Sequence, residues 1–185
     1  MNKIYLLIIL LIFLISCNKT DIKKYNFEFK RLDNKNIFLK NDKINGVLFN
    51  QKKDKHNIAY DNNDILQKDL SEIENIIEKL ILGTDNDKTW QNTLKKNKKD
   101  VQNRLIKSRK FIKNNLYNYK RQYKLSLNKK NEKIAFINFF IDKNNIYFFW
   151  QDDWVVDMDE DPLFFQVVIN LNKKNIENIL LALKE

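Results

Sequence analysis

From the amino end, apolar residues come first as an unbroken block of twelve, Ile4 to Ile15, preceded by one basic residue, Lys3. That length suits the apolar core of a secretory signal peptide and falls short of the roughly 20 residues a membrane-spanning helix needs. A polar stretch, "NKTDIKK", follows. From Tyr25 the pattern alternates, with Tyr25, Phe27 and Phe29 set against Asn26 and Glu28, the period of a half-buried strand. In "NIFLKNDKINGVLFN" the pair Asn45-Gly46 stands between apolar flanks. It predicts a two-residue hairpin turn, since both residues tolerate positive φ.

The period then changes. "DLSEIENIIEKLILG" sets Leu70, Ile73, Ile77 and Leu80 at spacings of three and four, one apolar stripe on a helix. Ser71 with Glu74 has the spacing of a capping box, and Gly83 stands where a helix end takes a left-handed residue. "TDNDKTWQNTLKKNKKD" is polar apart from Trp90 and Leu94 and reads as a short helix or an insertion. A further helix is expected over "DVQNRLIKSRKFIKNNLYNYK", with Val101, Leu105, Ile112 and Leu116 on one side.

Alternation returns in "RQYKLSL", followed by "KIAFINFF", with "NKKNEK" as the turn of an antiparallel hairpin over residues 121–141. "NNIYFFWQDDWVVD" is a further aromatic stretch, in which Phe148, Trp150 and Trp154 are expected to share one sheet face. "LFFQVVINL" is a buried strand, residues 172–175 a turn, and the tail "IENILLALKE" a closing hairpin strand despite its helix-favouring residues. The expected fold is α+β: one or two helices on a curved antiparallel sheet, an outline that cystatin-like or small inhibitor domains share.

The residues behind the first apolar block, Leu14-Ile15-Ser16-Cys17, resemble the lipobox of bacterial lipoproteins. That resemblance implies a diacylglycerol thioether on Cys17, cleavage before it, and a mature chain beginning there. The alternatives are a cleaved signal peptide with an incidental thiol, or an uncleaved anchor. The organisation expected is a signal peptide over 1–16, a lipid-anchored tether over 17–24 and a single domain over 25–185. Two or more acyl chains hold a soluble body on a membrane durably, whereas one does so only marginally. Cys17 is the one cysteine, so no disulfide forms within a chain, although an exported compartment would permit it.

A hydrophobic content of 43% and aromatic content of 12% argue for a packed core and against disorder. The formal net charge of +10 invites a nucleic-acid reading. Against it, the charge lies in Lys-Asn-rich segments without Arg or Gly clustering, and Lys, Asn and Ile share A/T-rich codons. Anionic lipid headgroups or acidic polysaccharide suit an exported basic surface better.

"NYKRQY", "EKIAFINFF" and "DDWVVDMDEDPLFFQVVINLNKK", with the helix "DILQKDLSEIENIIEK", resemble a family of lipoproteins and small exported proteins of Bacteroidota. The family's Asp-Gly-Gly turn is here "DMDEDP", and its strand cysteine is replaced by Phe139 or Phe140. The resemblance implies an architecture and an address in the cell envelope, and no activity.

Asp152, Asp153, Asp157, Asp159, Glu160 and Asp161 form the densest acidic stretch. Asp157-x-Asp159-x-Asp161 imitates the start of a calcium loop, but Pro162 and Val168 stand where an EF-hand needs glycine and a bidentate Glu. Asp152 with Asp157 could serve glycoside hydrolysis at the right separation. His56, the only histidine, sits in a polar stretch and reads as an exposed loop residue. No catalytic residue, metal ligand or cofactor is assigned. The candidate binding surface is Trp150, Asp152, Asp153 and Trp154, aromatic planes beside carboxylates that would face a sugar ring or a partner peptide. These readings converge on a non-enzymatic binding or inhibitory lipoprotein. It would sit on the outer membrane, facing the periplasm, with an envelope protein or polysaccharide as partner. The alternative is a hydrolase or cation-dependent enzyme built on the acidic stretch.

Overall fold

Three short strands open the body, three helices cross over them, and four longer strands complete one sheet. The computed structural model describes residues 25–33, 36–50, 56–84, 88–142, 147–155 and 162–181, with the side chains of Thr89 and Leu181 excepted. Cys17 and the apolar block before it lie outside these residues, as do Asp157, Asp159, Glu160 and Asp161.

The strands are β1 (Glu28–Arg31), β2 (Ile37–Lys40), β3 (Asn45–Leu48), β4 (Lys120–Leu127), β5 (Lys133–Phe140), β6 (Phe164–Asn170) and β7 (Asn175–Leu181). Their spatial order equals their chain order, and every neighbouring pair is antiparallel except β3 and β4. A parallel pair needs a long crossover. Here it is α1 (Asn63–Leu82), α2 (Lys88–Lys96), α3 (Lys99–Asn115) and the 3-10 turn Leu116–Asn118. The architecture is α+β, as the alternating and helical periods predict. The parallel joint is an addition to the expectation, and of the two readings of "TDNDKTWQNTLKKNKKD" the short helix forms, as α2, which makes three helices.

Helix α1 starts earlier than Ser71. Asn62 caps it, its side chain accepting from Asp64 N at 2.7 Å and Ile65 N at 3.3 Å. The Ser71–Glu74 capping box is therefore corrected: both residues lie inside the helix, and both are buried. Leu66, Leu70, Ile73, Ile77 and Leu80 are each fully buried against the sheet. Each such side chain contributes about 1.5–3 kcal/mol. Gly83 ends α1 as expected, but with φ −58°, not in the left-handed region. The reason lies in α3. Arg109 donates to Gly83 O at 2.6 Å, with Leu80 O and Thr84 O each at 3.4 Å, and so satisfies terminal carbonyls that a left-handed turn would otherwise serve.

The expected hairpin turn at Asn45-Gly46 is also corrected. The turn falls at Asn41–Ile44, where the Asn41 side chain accepts from Lys43 N at 2.8 Å and Ile44 N at 2.7 Å. Asn45 and Gly46 lie in β3, paired with Lys40 and Leu39. Gly46 is there for closeness: a Cβ on it would sit 2.9 Å from the Tyr123 ring and 3.0 Å from Arg121 O.

The helix-facing side of the sheet carries the main core, from Tyr25 and Leu39 across Tyr123, Ile137 and Phe139 to Ile179. Phe139 and Phe165 stack at 4.4 Å, with Tyr119 edge-on to Phe165 at 5.2 Å. The tail is a strand: β7 pairs with β6 through the turn after Asn170, with an irregularity at Val168/Ile169. No helix among the described residues is long and apolar enough to cross a membrane.

Candidate functional site: a groove on the open face of the sheet

Because side chains alternate along a strand, the residues between the core positions of β4, β5 and β6 point away from the helices. In the middle row these are Gln122, Asn138 and Gln166, paired directly across the three strands. Gln122 and Asn138 are both fully buried, although among the described residues no helix covers this face. What covers them is the segment 147–155.

That segment is held by amide hydrogen bonds. Gln122 donates from Nε2 to Trp150 O and to Asp153 O, both at 2.7 Å, while its Oε1 accepts from Val155 N at 2.8 Å. Asn138 donates from Nδ2 to Val155 O at 2.8 Å and to Gln122 Oε1 at 3.1 Å. Asn36 adds a bond to Gln151 O at 2.9 Å. Two strand side chains thus supply the partners that a loop crossing an apolar sheet would otherwise lack.

Tyr147 to Asp153 are turns, not a strand, so Phe148, Trp150 and Trp154 do not share one sheet face. Trp150 is corrected from surface to core. It is 7% exposed, wedged edge-on to Phe38 at 6.2 Å and Phe140 at 6.0 Å, in a second apolar cluster with Val47, Val155 and Phe164. Phe148 points outward at 85% exposure. Trp154 is half-buried, edge-on to Phe49 at 5.6 Å.

Asp152, Asp153 and Trp154 border a groove of about 780 Å³ on this face. The opposite wall comes from residues 56–58, which run beside the end of β4: Leu127 N donates to His56 O at 2.7 Å and Ile58 N to Leu125 O at 3.0 Å. Lys124, Ser126, Phe136 and Gln166 line the floor. His56 is exposed at the rim, as its polar setting predicts. Phe49, Lys124 and Phe136 are lining residues that the sequence reading missed. A signal for two of them existed: Lys124 and Phe136 occupy outward positions of alternating strands and pair directly. A phenylalanine at such a position, here 39% exposed, marks a face that something covers.

The arrangement offers aromatic faces, two carboxylates on adjacent residues and one ammonium along an open trough. It suits contact with an extended ligand bearing both hydroxyl and apolar groups. A fully buried charge pair lies elsewhere. Glu74 of α1 meets Arg121 Nε at 3.3 Å and accepts from Tyr123 Oη at 2.6 Å, all on the helix side of the sheet. Burial pushes the Glu74 carboxyl up against the opposing pull of Arg121, and burial beside Glu74 pushes the Tyr123 hydroxyl up as well. Among the described residues no group of three or more His, Cys, Asp or Glu is placed to hold a metal ion.

No family model, no curated protein and no solved structure matches the chain.

Proposed function

We propose that this protein is a lipoprotein of the cell envelope, held to a membrane through lipid on Cys17, and that its sheet groove binds an extended glycan without transforming it. The observation that carries the binding role is the groove itself. Its wall of Asp152, Asp153 and Trp154 hangs on the buried Gln122–Asn138 pair, so the ligand-facing groups are fixed by the sheet before any ligand arrives. Preorganised walls reduce the ordering cost of binding. Aromatic planes at Trp154 and Phe136 suit the apolar faces of sugar rings, and the carboxylates and Lys124 suit their hydroxyl and charged substituents. The anchor rests on the Leu14-Ile15-Ser16-Cys17 motif behind twelve apolar residues.

The test is titration of the mature chain with envelope oligosaccharides, followed by tryptophan fluorescence and calorimetry. Saturable binding that Trp154→Ala and Asp152→Asn/Asp153→Asn weaken, with the fold intact, supports the reading. Cleavage of the bound oligosaccharide, lost in the Asp variant, would assign a hydrolase in its place. Palmitate labelling of the full chain, abolished by Cys17→Ala, tests the anchor separately.

A further inference from the structure

The positive charge of this chain is concentrated on one layer. Residues 88–115, covering α2 and α3, hold ten Lys or Arg against the single acid Asp100, in a chain whose formal net charge is +10. On α3, Leu105, Ser108, Arg109 and Ile112 are buried, which turns Lys99, Asn103, Ile106, Lys107, Lys110 and Lys113 outward. Ile106 is 55% exposed among these lysines, and Phe111 is 38% exposed beside them.

A cleft of about 400 Å³ lies where α2 and α3 meet. Trp90, Leu94 and Ile106 give it an apolar lining, and Lys110 and Lys113 stand at its edge. Arg109 is spent inside, its guanidinium 4.2 Å over the Trp90 ring and bonded to the end of α1. Arg104 is half-buried, and the exposed cations of α2 and α3 are all lysines, point charges without the planar fork of a guanidinium. Ile106 and Phe111 stand at the two edges of this lysine face, so the outward surface joins a cluster of positive charge to exposed apolar side chains, the combination that anionic lipid headgroups attract.

We infer that the outer face of α2 and α3 docks on a bilayer surface rich in anionic phospholipid, with Lys107, Lys110 and Lys113 on the headgroups and Ile106 and Phe111 entering the interface. This surface is distinct from the groove, and binding there does not depend on lipid at Cys17. A second contact would hold the body in one orientation on the membrane. It would also leave the groove, on the other side of the sheet, turned outward.

The described core runs from Tyr25 to Ile179, so a chain beginning at residue 18 contains the whole of it and serves as a soluble probe. The measurement is co-sedimentation with vesicles of phosphatidylcholine alone and of phosphatidylcholine mixed with phosphatidylglycerol. The mixed vesicles are expected to retain the protein, and raising salt from about 0.1 M to about 1 M should release it, since screening then acts within about 3 Å. Each lysine at an anionic surface strengthens binding about fivefold, so Lys107→Gln/Lys110→Gln/Lys113→Gln should weaken it by on the order of a hundredfold. Ile106→Ser/Phe111→Ser should also weaken binding to the mixed vesicles at about 0.1 M salt. Equal binding to both vesicle types, an unaffected triple variant, or binding to heparin with none to mixed vesicles would each overturn the inference. Circular dichroism on each variant separates these outcomes from loss of fold.

Discussion

Gln122 and Asn138 face each other across β4 and β5, joined at 3.1 Å, and between them they bind four backbone groups of a segment that lies far along the chain. Gln122→Leu keeps the volume and removes the bonds. Trp150 O, Asp153 O and Val155 N would then lack partners over a dry sheet, each such loss costing about 1–3 kcal/mol. The expected outcome is rapid hydrogen exchange and proteolytic cutting confined to 147–155, with the strands still protected. If 147–155 stays as protected as in the parent, the amide pair does not hold the wall.

On the other side of the same strand, Arg121 is fully buried and bound to Glu74. Arg121→Met would strand a buried carboxylate and should cost about 3–5 kcal/mol in urea unfolding. Adding Glu74→Leu removes the orphan, so the double variant should regain most of that loss. A double-mutant cycle with no coupling would refute the pairing.

Gly46 gives a third test and shows what the sequence concealed. Gly46→Ala would push a methyl to 2.9 Å from the Tyr123 ring and 3.0 Å from the Arg121 carbonyl. Overpacking of this kind costs about 1–3 kcal/mol. A turn glycine would give a different pattern, with Asn tolerated; here Gly46→Asn should be worse than Gly46→Ala in thermal unfolding.

That contrast separates what was legible from what was not. The stripe Leu70, Ile73, Ile77, Leu80 and the alternation in "RQYKLSL" depend on local period, and both elements form where that period lies. The turn at Asn41 and the cap at Asn62 were hidden because Asn is abundant here, so the particular Asn that closes a turn does not stand out. Trp150 and Trp154 are four residues apart in one aromatic run, yet one fills the core and the other borders the groove. What separates them is the bonding of 147–155 to Gln122 and Asn138, a contact between distant segments that no local pattern encodes. Lys124 and Phe136, outward on their own strands, were the local signal of the open face.

The turns at one end of the sheet give a prediction in pH. Glu132, in the β4–β5 turn, accepts from Asn128 at 2.8 Å, from Lys173 at 3.0 Å and from Asn170 at 2.9 Å. Those bonds lower its carboxyl from the ordinary 4.5 to about 2. The folded state therefore holds the proton less tightly than the unfolded chain does. Stability from Glu132 is fully present above 4.5 and is lost as pH falls through about 2. Glu74 acts in the opposite sense. Its raised carboxyl holds the proton more tightly in the folded state than in the unfolded chain, so its contribution declines as pH rises above 4.5. Comparing the parent with Glu132→Gln cancels the Glu74 term. The Tm difference between them should be present near neutrality, shrink below 4.5 and vanish near 2. A difference independent of pH would mean that the bonds of Glu132 do not depend on its charge.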